Sequence, residues 1–328
     1  MRSKSILGIS SFLSALFLIQ GIFAQVFTVS GTKLLDANGN EFVIRGVNNS
    51  HSWHYDLSLK ALDQLAELNV NCIRIVWESK GKPSQLEVVI KKCIDLEMIP
   101  MIELHDATGD TTTQILLTMA NYFVQPNVKK ILLPYEKYLL INIANEWGDH
   151  YTTPEYWKES YKQAIKLIRD EGYKTTLVID APGWGQDIYA IQKYGKELLE
   201  YDPLNNLLFS VHMYYSFNDP KKIDRELQKT YDLSLPIIVG EFGYNFDKGF
   251  NNLKCVVDHT VILRKCHELQ YGYLPWMWTG NNKENAWLDL AEFRGKHDLT
   301  WWGRQVFETE YGIRKNAKKA SVFEEGTE

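Results

Sequence analysis

Short apolar runs alternate with amphipathic stretches along most of the chain. The runs are rich in β-branched residues and bounded by turn residues, which is typical of strands buried on both faces. Eight strands are predicted, at residues 42–47, 72–77, 99–104, 139–143, 176–180, 207–212, 237–240 and 272–277. Helical spacing of apolar residues predicts helices at 57–68, 83–96, 112–123, 153–170, 188–199, 220–230 and 252–269, and a last helix from about residue 300.

This alternation predicts an α/β fold. Regular βα units force neighbouring strands to run parallel, with right-handed crossovers. Eight units fit a closed (β/α)8 TIM barrel, and we expect a single catalytic-sized domain over residues 25–314. An open, doubly wound sheet is the alternative, but the glycine-rich phosphate turn typical of that fold does not follow the first strand.

Both ends of the chain differ from the alternating pattern. Arg2 and Lys4 precede an apolar stretch, which predicts a secretory signal peptide over residues 1–24; a membrane anchor is the alternative. Two short apolar segments and tight turns over residues 26–39 predict a small β-hairpin that plugs the bottom of the barrel. Residues 315–328 are charged, and we expect a frayed C-terminal tail.

Composition and charge narrow the classes of function. An aromatic content of 13% leaves rings for stacking on sugars, and a mixed net charge of −5 argues against a nucleic-acid partner. Zinc-protease and phosphate-loop motifs are lacking, so we expect no metal and no cofactor. Four cysteines do not make a disulfide scaffold in a chain this long. We expect free thiols, and a Cys72–Cys93 bridge is the one pairing left open.

Polar and aromatic residues follow nearly every predicted strand. In a parallel barrel the carboxyl ends of all strands share one mouth, where barrel enzymes carry out their chemistry. The strands and their exits supply His51, Trp53, Arg74, His105, Asn145, Glu146, Asp180, Trp184, His212, Tyr214, Glu241, Trp276 and Trp278. Random surface loops would not supply such groups so regularly.

Glu146 and Glu241 follow the fourth and seventh strands and would face each other across that mouth. Glycosidases use such a carboxyl pair, about 5–5.5 Å apart in retaining enzymes and about 6.5–9.5 Å apart in inverting enzymes. A nucleophilic carboxylate must stay ionised, and Arg74 and Tyr214 are candidate donors to it. Its partner must hold a proton near neutrality, which burial and a neighbouring like charge favour.

The remaining candidates would assist this pair. The Asn145 amide can donate to a sugar hydroxyl, and His105 and His212 can orient the carboxyl groups. Tryptophans at the exits are candidate platforms for sugar rings, although each of them is also a candidate core residue.

Eight segments carry motifs in order through nearly the whole mature chain. They are Ile44-Arg-Gly-Val-Asn48 with His51 and Trp53, Cys72-Ile-Arg-Ile-Val-Trp77, Glu103-Leu-His-Asp-Ala-Thr-Gly109, Ile141-Asn-Ile-Ala-Asn-Glu146, Asp180-Ala-Pro-Gly-Trp-Gly-Gln186, Phe209-Ser-Val-His-Met-Tyr214, Gly240-Glu-Phe-Gly243 and Trp276-Met-Trp-Thr-Gly-Asn281. Together they resemble glycoside hydrolase family 5, and within it most closely the bacterial β-mannanases of subfamily 8. The third and fifth segments are the more specific to those mannanases.

The resemblance implies a retaining endo-hydrolase. Together with the predicted signal peptide, it leads us to expect a secreted endo-β-1,4-mannanase that cleaves mannan, glucomannan or galactomannan by double displacement. It implies Glu146 as acid/base and Glu241 as nucleophile, with supporting roles for Arg74, His105, Asn145, His212, Tyr214 and Trp276. An endo-β-1,4-glucanase or a dual enzyme is the alternative in the same class, and a non-catalytic glycan-binding barrel is the alternative in another class. We expect a monomer whose partner is the polysaccharide, with no membrane contact after signal cleavage.

Two segments depart from the usual pattern of this family. They are residues 215–217, after the sixth strand, and residues 245–254, after the seventh strand. Both are expected to border the sugar cleft.

Overall fold

The computed structural model describes residues 26–293 and 298–324 of the chain. Strands β1 (Thr28–Ser30) and β2 (Lys33–Leu35) form an antiparallel hairpin. Eight further strands pair in parallel and in chain order: β3 (Gly46–Asn49), β4 (Cys72–Trp77), β5 (Ile99–Leu104), β6 (Leu140–Asn142), β7 (Leu177–Asp180), β8 (Leu207–Met213), β9 (Ile237–Phe242) and β10 (Gly272–Tyr273).

The eight-stranded sheet closes on itself. Arg45, just before β3, forms a parallel bridge with Tyr273 of β10, and the Tyr273 amide donates to the Ile44 carbonyl at 3.1 Å. Further along the same seam, the Trp278 amide donates to the Asn48 carbonyl at 2.8 Å. The predicted (β/α)8 barrel is therefore confirmed, and the open doubly wound sheet is not formed.

Helices connect the strands on the outside of the barrel. They are α1 (Tyr55–Glu67), α2 (Pro83–Asp95), α3 (Thr113–Val124), α4 (Pro126–Leu132), α5 (Pro154–Asp170), α6 (Ile188–Tyr201), α7 (Pro220–Asp232), α8 (His259–Leu269), α9 (Trp301–Glu308) and α10 (Ile313–Asn316). Capping side chains set several of their starts. The Thr153 side chain accepts a bond from the Tyr156 amide at the start of α5, where Pro154 occupies the first helical turn.

The first barrel strand is displaced from its predicted range, and the last barrel strand is shorter than predicted. The prediction at 42–47 is displaced because Phe42 pairs with the hairpin, its amide donating to the Leu34 carbonyl at 2.9 Å. The prediction at 272–277 overruns β10, because Pro275 lacks the amide hydrogen that a strand ladder needs.

Two helical differences lie on the outer layer. Helix α8 begins at His259 rather than at residue 252, because the Asn251 side chain bonds the backbone N–H and carbonyl of Cys255 at 3.0 and 2.6 Å and holds that segment as a loop. Helix α4 was not predicted; it begins at Pro126, directly after α3 ends.

The barrel interior has two layers of opposite character. The lower layer is an apolar floor formed by Ile44, Cys72, Ile99, Met101, Leu140, Val178, Leu208, Ile238 and Leu274. The upper layer lies toward the carboxyl ends of the strands and is polar and buried: Asn48, Arg74, Glu103, Asn142, Asp180, Ser210, His212 and Glu241. Side chains two positions apart on a strand point the same way, so a strand such as β4 supplies Cys72 to the floor and Arg74 to the polar layer.

The hairpin covers the apolar floor from below. Phe27 and Leu34 are buried in the same hydrophobic cluster as the floor residues, and Phe27 packs edge-on against Phe42 with ring centroids 5.5 Å apart. This confirms the predicted position of the hairpin.

The C-terminal segment packs beside the hairpin instead of fraying. Ala320 and Val322 are buried in the floor cluster, and the Ser321 amide donates to Asp36 Oδ2 at 2.7 Å. The prediction of a frayed tail is therefore wrong for residues 315–324. The segment packs in an ordered way because its two apolar side chains, Ala320 and Val322, are buried under the barrel.

Several other sequence predictions concern residues away from the mouth. The predicted signal peptide, residues 1–24, lies outside the described residues, as do residues 325–328. All four cysteines are free and buried, so the Cys72–Cys93 bridge is not formed. Among the described helices, none combines the length and the apolar content needed to span a bilayer.

Candidate active site

Arg74 lies at the centre of the polar layer and uses every one of its N–H groups. Nε donates to Asn142 Oδ1 at 2.9 Å, and Nη1 donates to Asn48 Oδ1 and Glu241 Oε1, both at 2.9 Å. Nη2 donates to Asn145 Oδ1 at 2.7 Å and to Asp180 Oδ2 at 3.4 Å. A guanidinium carries five N–H donors, so this buried cation is fully satisfied.

Glu241 extends from β9 into the centre of the mouth. Besides the bond from Arg74 to Oε1, its Oε2 accepts a hydrogen bond from the Tyr214 hydroxyl at 3.0 Å. Burial raises the pKa of Tyr214 well above its ordinary value, so the phenol stays protonated and donates. Both oxygens of the Glu241 carboxyl therefore have a donor.

Glu146 follows β6 in an uncommon backbone conformation. Its φ is +46°, a left-handed value that L residues rarely adopt outside functional sites and turns. Two bonds hold this conformation: the Glu146 amide donates to Asp180 Oδ2 at 3.0 Å, and its carbonyl accepts from the Gly109 amide at 3.0 Å. The side chain is thereby aimed at the same space as Glu241, and one oxygen of each carboxyl lies within 4.8 Å of the other.

His212 links the two carboxyl groups. Its Nδ1 lies 2.8 Å from Glu146 Oε1 and 3.6 Å from Glu241 Oε2, and its Nε2 lies 3.5 Å from Asp180 Oδ2. Burial alone would lower the pKa of His212, but the carboxylates of Glu241, Asp180 and Glu146 outweigh burial and raise the pKa to about 9. At neutral pH the ring is therefore protonated, and Nδ1 donates to Glu146 Oε1, whereas Nε2 faces Asp180 as an ion pair without a hydrogen bond.

Burial raises the pKa of Glu241 to about 7, and the like charge of Glu146 acts in the same direction. The positive charges of His212, Arg74 and His105 oppose this rise. The sequence predicts that donors keep this carboxyl fully ionised, whereas burial outweighs them. Glu241 therefore takes up a proton near neutral pH more readily than an ordinary carboxyl group does.

The side-chain types of Glu146, His212 and Glu241 also occur as ligands at metal sites. One donor atom from each of Glu146, His212 and Glu241 lies within 4.8 Å of the others. A metal needs the lone pair of a neutral imidazole, and the raised pKa of His212 removes it at neutral pH. The Arg74 guanidinium is also already bound to Glu241. These charges favour proton transfer over cation binding.

A cleft of about 250 Å³ opens above the carboxyl pair. Its lining includes His105, Asn145, Glu146, Trp184, Gln186, Tyr214, Tyr215, Glu241, Leu253, Trp276, Asn285 and Leu288. Tyr215 and Leu253 belong to the two segments that depart from the family pattern, so the expectation that these segments border the cleft is confirmed.

Tryptophans contribute to the surface in and around this cleft. Trp276 lines it and is stacked on His105, with ring centroids 5.6 Å apart and planes inclined by 21°. Trp53 is 41% exposed and meets His105 edge-on at 5.1 Å, which places it beside the cleft lining. Trp184 is 39% exposed and also lines the cleft, and its ring fills the space a side chain at Gly109 would need.

Two candidates from the sequence belong neither to the cleft lining nor to the network around the carboxyl pair. His51 is buried beside Asn49, with Nε2 3.2 Å from Asn49 Nδ2, and burial lowers its pKa to about 3. Trp278 is fully buried and packs edge-on against Phe307 of α9. Sequence position alone misleads here, because both side chains are buried in the core although they follow barrel strands.

Sequence reasoning missed Asn48, Asn142 and Glu103, and it found Asp180 only as an exit residue without a role. Asn48, Asn142 and Asp180 bond Arg74, and Glu103 Oε1 lies 3.0 Å from His105 Nδ1. For Glu103, Asn142 and Asp180 the available signal is a polar residue two positions after a floor residue in an otherwise apolar strand. Burial lowers the pKa of His105, but the charges of Glu103 and Glu241 together outweigh burial and the net shift is upward.

Comparison with known proteins agrees with this geometry. Residues 35–282 match the sequence model of the family described as Cellulase (glycosyl hydrolase family 5). The chain belongs to this family. Its members are glycoside hydrolases, so this family 5 barrel is an enzyme of that class, and the site at its mouth lies where barrel enzymes carry out chemistry.

Relatives within family 5 cover nearly the whole chain. A protein named Mannan endo-1,4-beta-mannosidase from Salipaludibacillus agaradhaerens is 36% identical over 304 residues, which are 90% of this chain and 96% of the relative. The solved β-mannanase from Thermomonospora fusca superposes with a TM-score of 0.84 at 32% identity, covering 92% of this chain and 100% of that one. The β-mannanase from Streptomyces thermolilacinus with mannohexaose gives a TM-score of 0.83 at 33% identity, over 92% and 99% of the two chains.

Proposed function

We propose that this family 5 enzyme is a secreted, retaining endo-β-1,4-mannanase. The observation that carries the proposal is the carboxyl pair, Glu146 and Glu241, with oxygens within 4.8 Å of each other at the exits of β6 and β9. This spacing fits a direct attack better than the wider gap, about 6.5–9.5 Å, that seats a water in inverting enzymes. The names of the relatives support mannan as the polymer.

In this proposal Glu241 is the nucleophile and Glu146 is the acid/base. Within the described residues, both Glu241 oxygens accept hydrogen bonds, whereas Glu146 accepts one at Oε1, from His212. Because donors to both oxygens stabilise a carboxylate and fix its direction, we assign the nucleophile role to Glu241 and the acid/base role to Glu146. This division of roles follows from the donors around each group.

The reaction would proceed by double displacement without a cofactor. A Glu241 oxygen attacks the anomeric carbon while Glu146 protonates the departing glycosidic oxygen, and a covalent glycosyl-enzyme forms. Glu146, now ionised, removes a proton from a water molecule, which attacks the anomeric carbon and releases Glu241. Asn145 lines the cleft beside the pair, and its amide is our candidate donor to the sugar 2-hydroxyl.

The test follows the anomeric configuration of the first products from linear mannan by NMR. We expect the β-anomer first, loss of hydrolysis in Glu241→Ala, and a fall in kcat of about 10²–10⁴-fold in Glu146→Ala. Glu200→Ala, an exposed change on α6, is the matched control. The α-anomer first would reject the retaining mechanism, and turnover of carboxymethyl cellulose without turnover of mannan would favour the glucanase alternative.

Secretion and oligomeric state belong to the same proposal. We infer that residues 1–24 are a cleaved signal peptide and that the mature barrel acts as a monomer on polysaccharide. Mass spectrometry of the secreted protein, expected to begin near residue 25, and its molar mass in light scattering test these two points.

A further inference from the structure

A second pocket opens beside the cleft. Its volume is about 230 Å³, close to the 250 Å³ of the cleft itself. It lies between the loops that follow β6, β7 and β8, and its polar lining residues are Asp149, His150, Thr152, Gln186, Asp187, Ser216 and Lys222. Gln186 lines both spaces, and Gly183 and Trp184 are adjacent in the chain, so a ligand seated against Trp184 lies next to this pocket.

The pocket offers hydrogen-bonding groups that the described part of the chain leaves unused. Gln186 Oε1 accepts from the Ser216 amide at 3.0 Å, so its NH₂ group is available as a donor. Lys222 Nζ donates to the Ser216 carbonyl at 2.7 Å and keeps two further hydrogens. Asp149 Oδ1 accepts from the amides of Tyr151 and Thr152, which leaves Oδ2 as an acceptor.

The mixture of these groups points to a neutral, polyhydroxylated ligand. Two carboxyl groups would repel an anion, and the Lys222 ammonium would repel a metal cation. Alternating donors and acceptors suit the hydroxyls of a sugar, which both donate and accept. The lining contains no tryptophan, tyrosine or phenylalanine, so the stacking platform for a main-chain sugar remains Trp184 in the cleft.

We propose that this pocket binds a galactosyl side branch of a mannan chain whose main-chain sugar rests on Trp184. The inference rests on the proposed function and adds to it a binding site for the side branch, in a pocket distinct from the cleft. The branch would place its hydroxyls among Gln186, Lys222 and Asp149, while the main chain stays in the cleft.

The test compares kcat/KM for two substrates of equal main-chain length, linear mannohexaose and a galactosylated mannohexaose. The double variant His150→Ala/Lys222→Gln removes two donors from the pocket. We expect its kcat/KM on the branched substrate to fall about tenfold more than on the linear one, as for the loss of one to two hydrogen bonds. Lys221→Gln, an exposed change on the same helix outside the pocket lining, should leave both values unchanged.

Retained activity on the linear substrate shows that the double variant is folded. An equal fall on both substrates would overturn the inference in favour of a main-chain sugar, and no change on either would overturn sugar binding in this pocket. Calorimetric measurement of the binding of each oligosaccharide to the Glu241→Ala protein distinguishes failure of the pocket proposal from failure of the proposed mannanase function. Tighter binding of the branched substrate, lost in the pocket variant, would support the pocket even if the wild type hydrolysed neither one.

Discussion

At the scale of single residues, Arg74 holds together side chains from several strands at the barrel mouth. Its five donors meet three amide oxygens and two carboxylates, and Asn145 and Glu241 are among these partners. A buried ion network of this kind contributes little net stability by itself, but losing one partner leaves the others unpaired in a low dielectric. The same bonds fix the orientation of a carboxyl group that must attack along one direction.

Two substitutions of Arg74 should distinguish the contribution of its positive charge from the contribution of its hydrogen-bond geometry. Arg74→Lys keeps the charge but has three donors, and we expect kcat/KM to fall about 10²-fold because Glu241 and Asn145 lose their fixed positions. Arg74→Met leaves buried carboxylates unpaired, and should lower the free energy of unfolding by about 3–5 kcal/mol. Steady-state kinetics and urea unfolding measure these effects, with the exposed Arg225→Lys as control. Full activity in Arg74→Lys would show that charge alone suffices.

His212 should make stability depend on pH. Its pKa is raised from an ordinary 6.5 to about 9 in the folded protein, so the folded state binds this proton more tightly than the unfolded state. Its contribution, about 3 kcal/mol, is therefore complete below pH 6.5 and is lost as the pH rises through about 9. Denaturant unfolding from pH 6 to 9.5 should show the wild type losing stability relative to His212→Gln. Parallel pH profiles for the two proteins would contradict this assignment.

At the scale of elements, an irregularity between two strands aligns the carboxyl pair. The register of β8 and β9 shifts after Val211, so that His212 faces Glu241 and Gly240 is passed over. Gly240 lies directly on β8, since a Cβ there would be 2.2 Å from Ser210 Oγ and 3.2 Å from His212 Nε2. Such a shift re-aims a side chain next to an active site. Here it brings Glu241 level with His212.

This close approach can be tested by a double-mutant cycle. Gly240→Ala should destabilise the protein by about 1–3 kcal/mol and lower activity, because the new methyl group pushes β8 away from β9. Ser210→Ala removes the clashing hydroxyl, which has no hydrogen-bond partner in the described structure, and should be nearly neutral alone. Combined with Gly240→Ala it should restore part of the lost stability and activity. Additive effects in thermal unfolding would refute the proposed contact.

At the scale of the whole molecule, the two described ends of the chain support a site they do not touch. The hairpin and the segment around Val322 cover the apolar floor, and that floor lies under the polar layer containing Arg74. Covering the floor keeps water from the lower end of the barrel. The mouth remains the open end, where substrate enters.

Shortening the C-terminus should therefore lower the stability of the protein while its kcat stays nearly unchanged. Ending the chain after Ala317 removes Ala320, Ser321 and Val322 from the floor, and we expect a loss of about 2–4 kcal/mol from the exposed apolar surface and the lost bonds to Asp36. Ending it after Glu324 keeps those contacts and is the matched control. Thermal unfolding measures the difference, and kcat of the shorter protein well below its melting temperature should remain near the wild-type value. An unchanged melting temperature would argue against a structural role for the segment.

Some features of the protein were determined by local sequence. The β-branched runs, capping residues such as Thr153, and the regular spacing of strands were sufficient to predict the barrel, because alternation of buried strands and amphipathic helices has few packing solutions. The positions of Glu146 and Glu241 at strand exits followed from the same alternation. The charged character of residues 315–324 did not reveal their packing, since only the floor offers their two apolar side chains a place to be buried.

Other features were decided only by the tertiary structure. Trp276 and Trp278 both follow the last strand, but only Trp276 lines the cleft, because Trp278 is buried against Phe307 of an outer helix. The pKa of Glu241 depends on burial and on charges from four other parts of the chain, and no single segment contains that information. The sequence determined where the chemical groups are attached. Their mutual distances, their neighbours and the raised pKa of Glu241 arose from closing the barrel, because electrostatic interactions depend on separation in space.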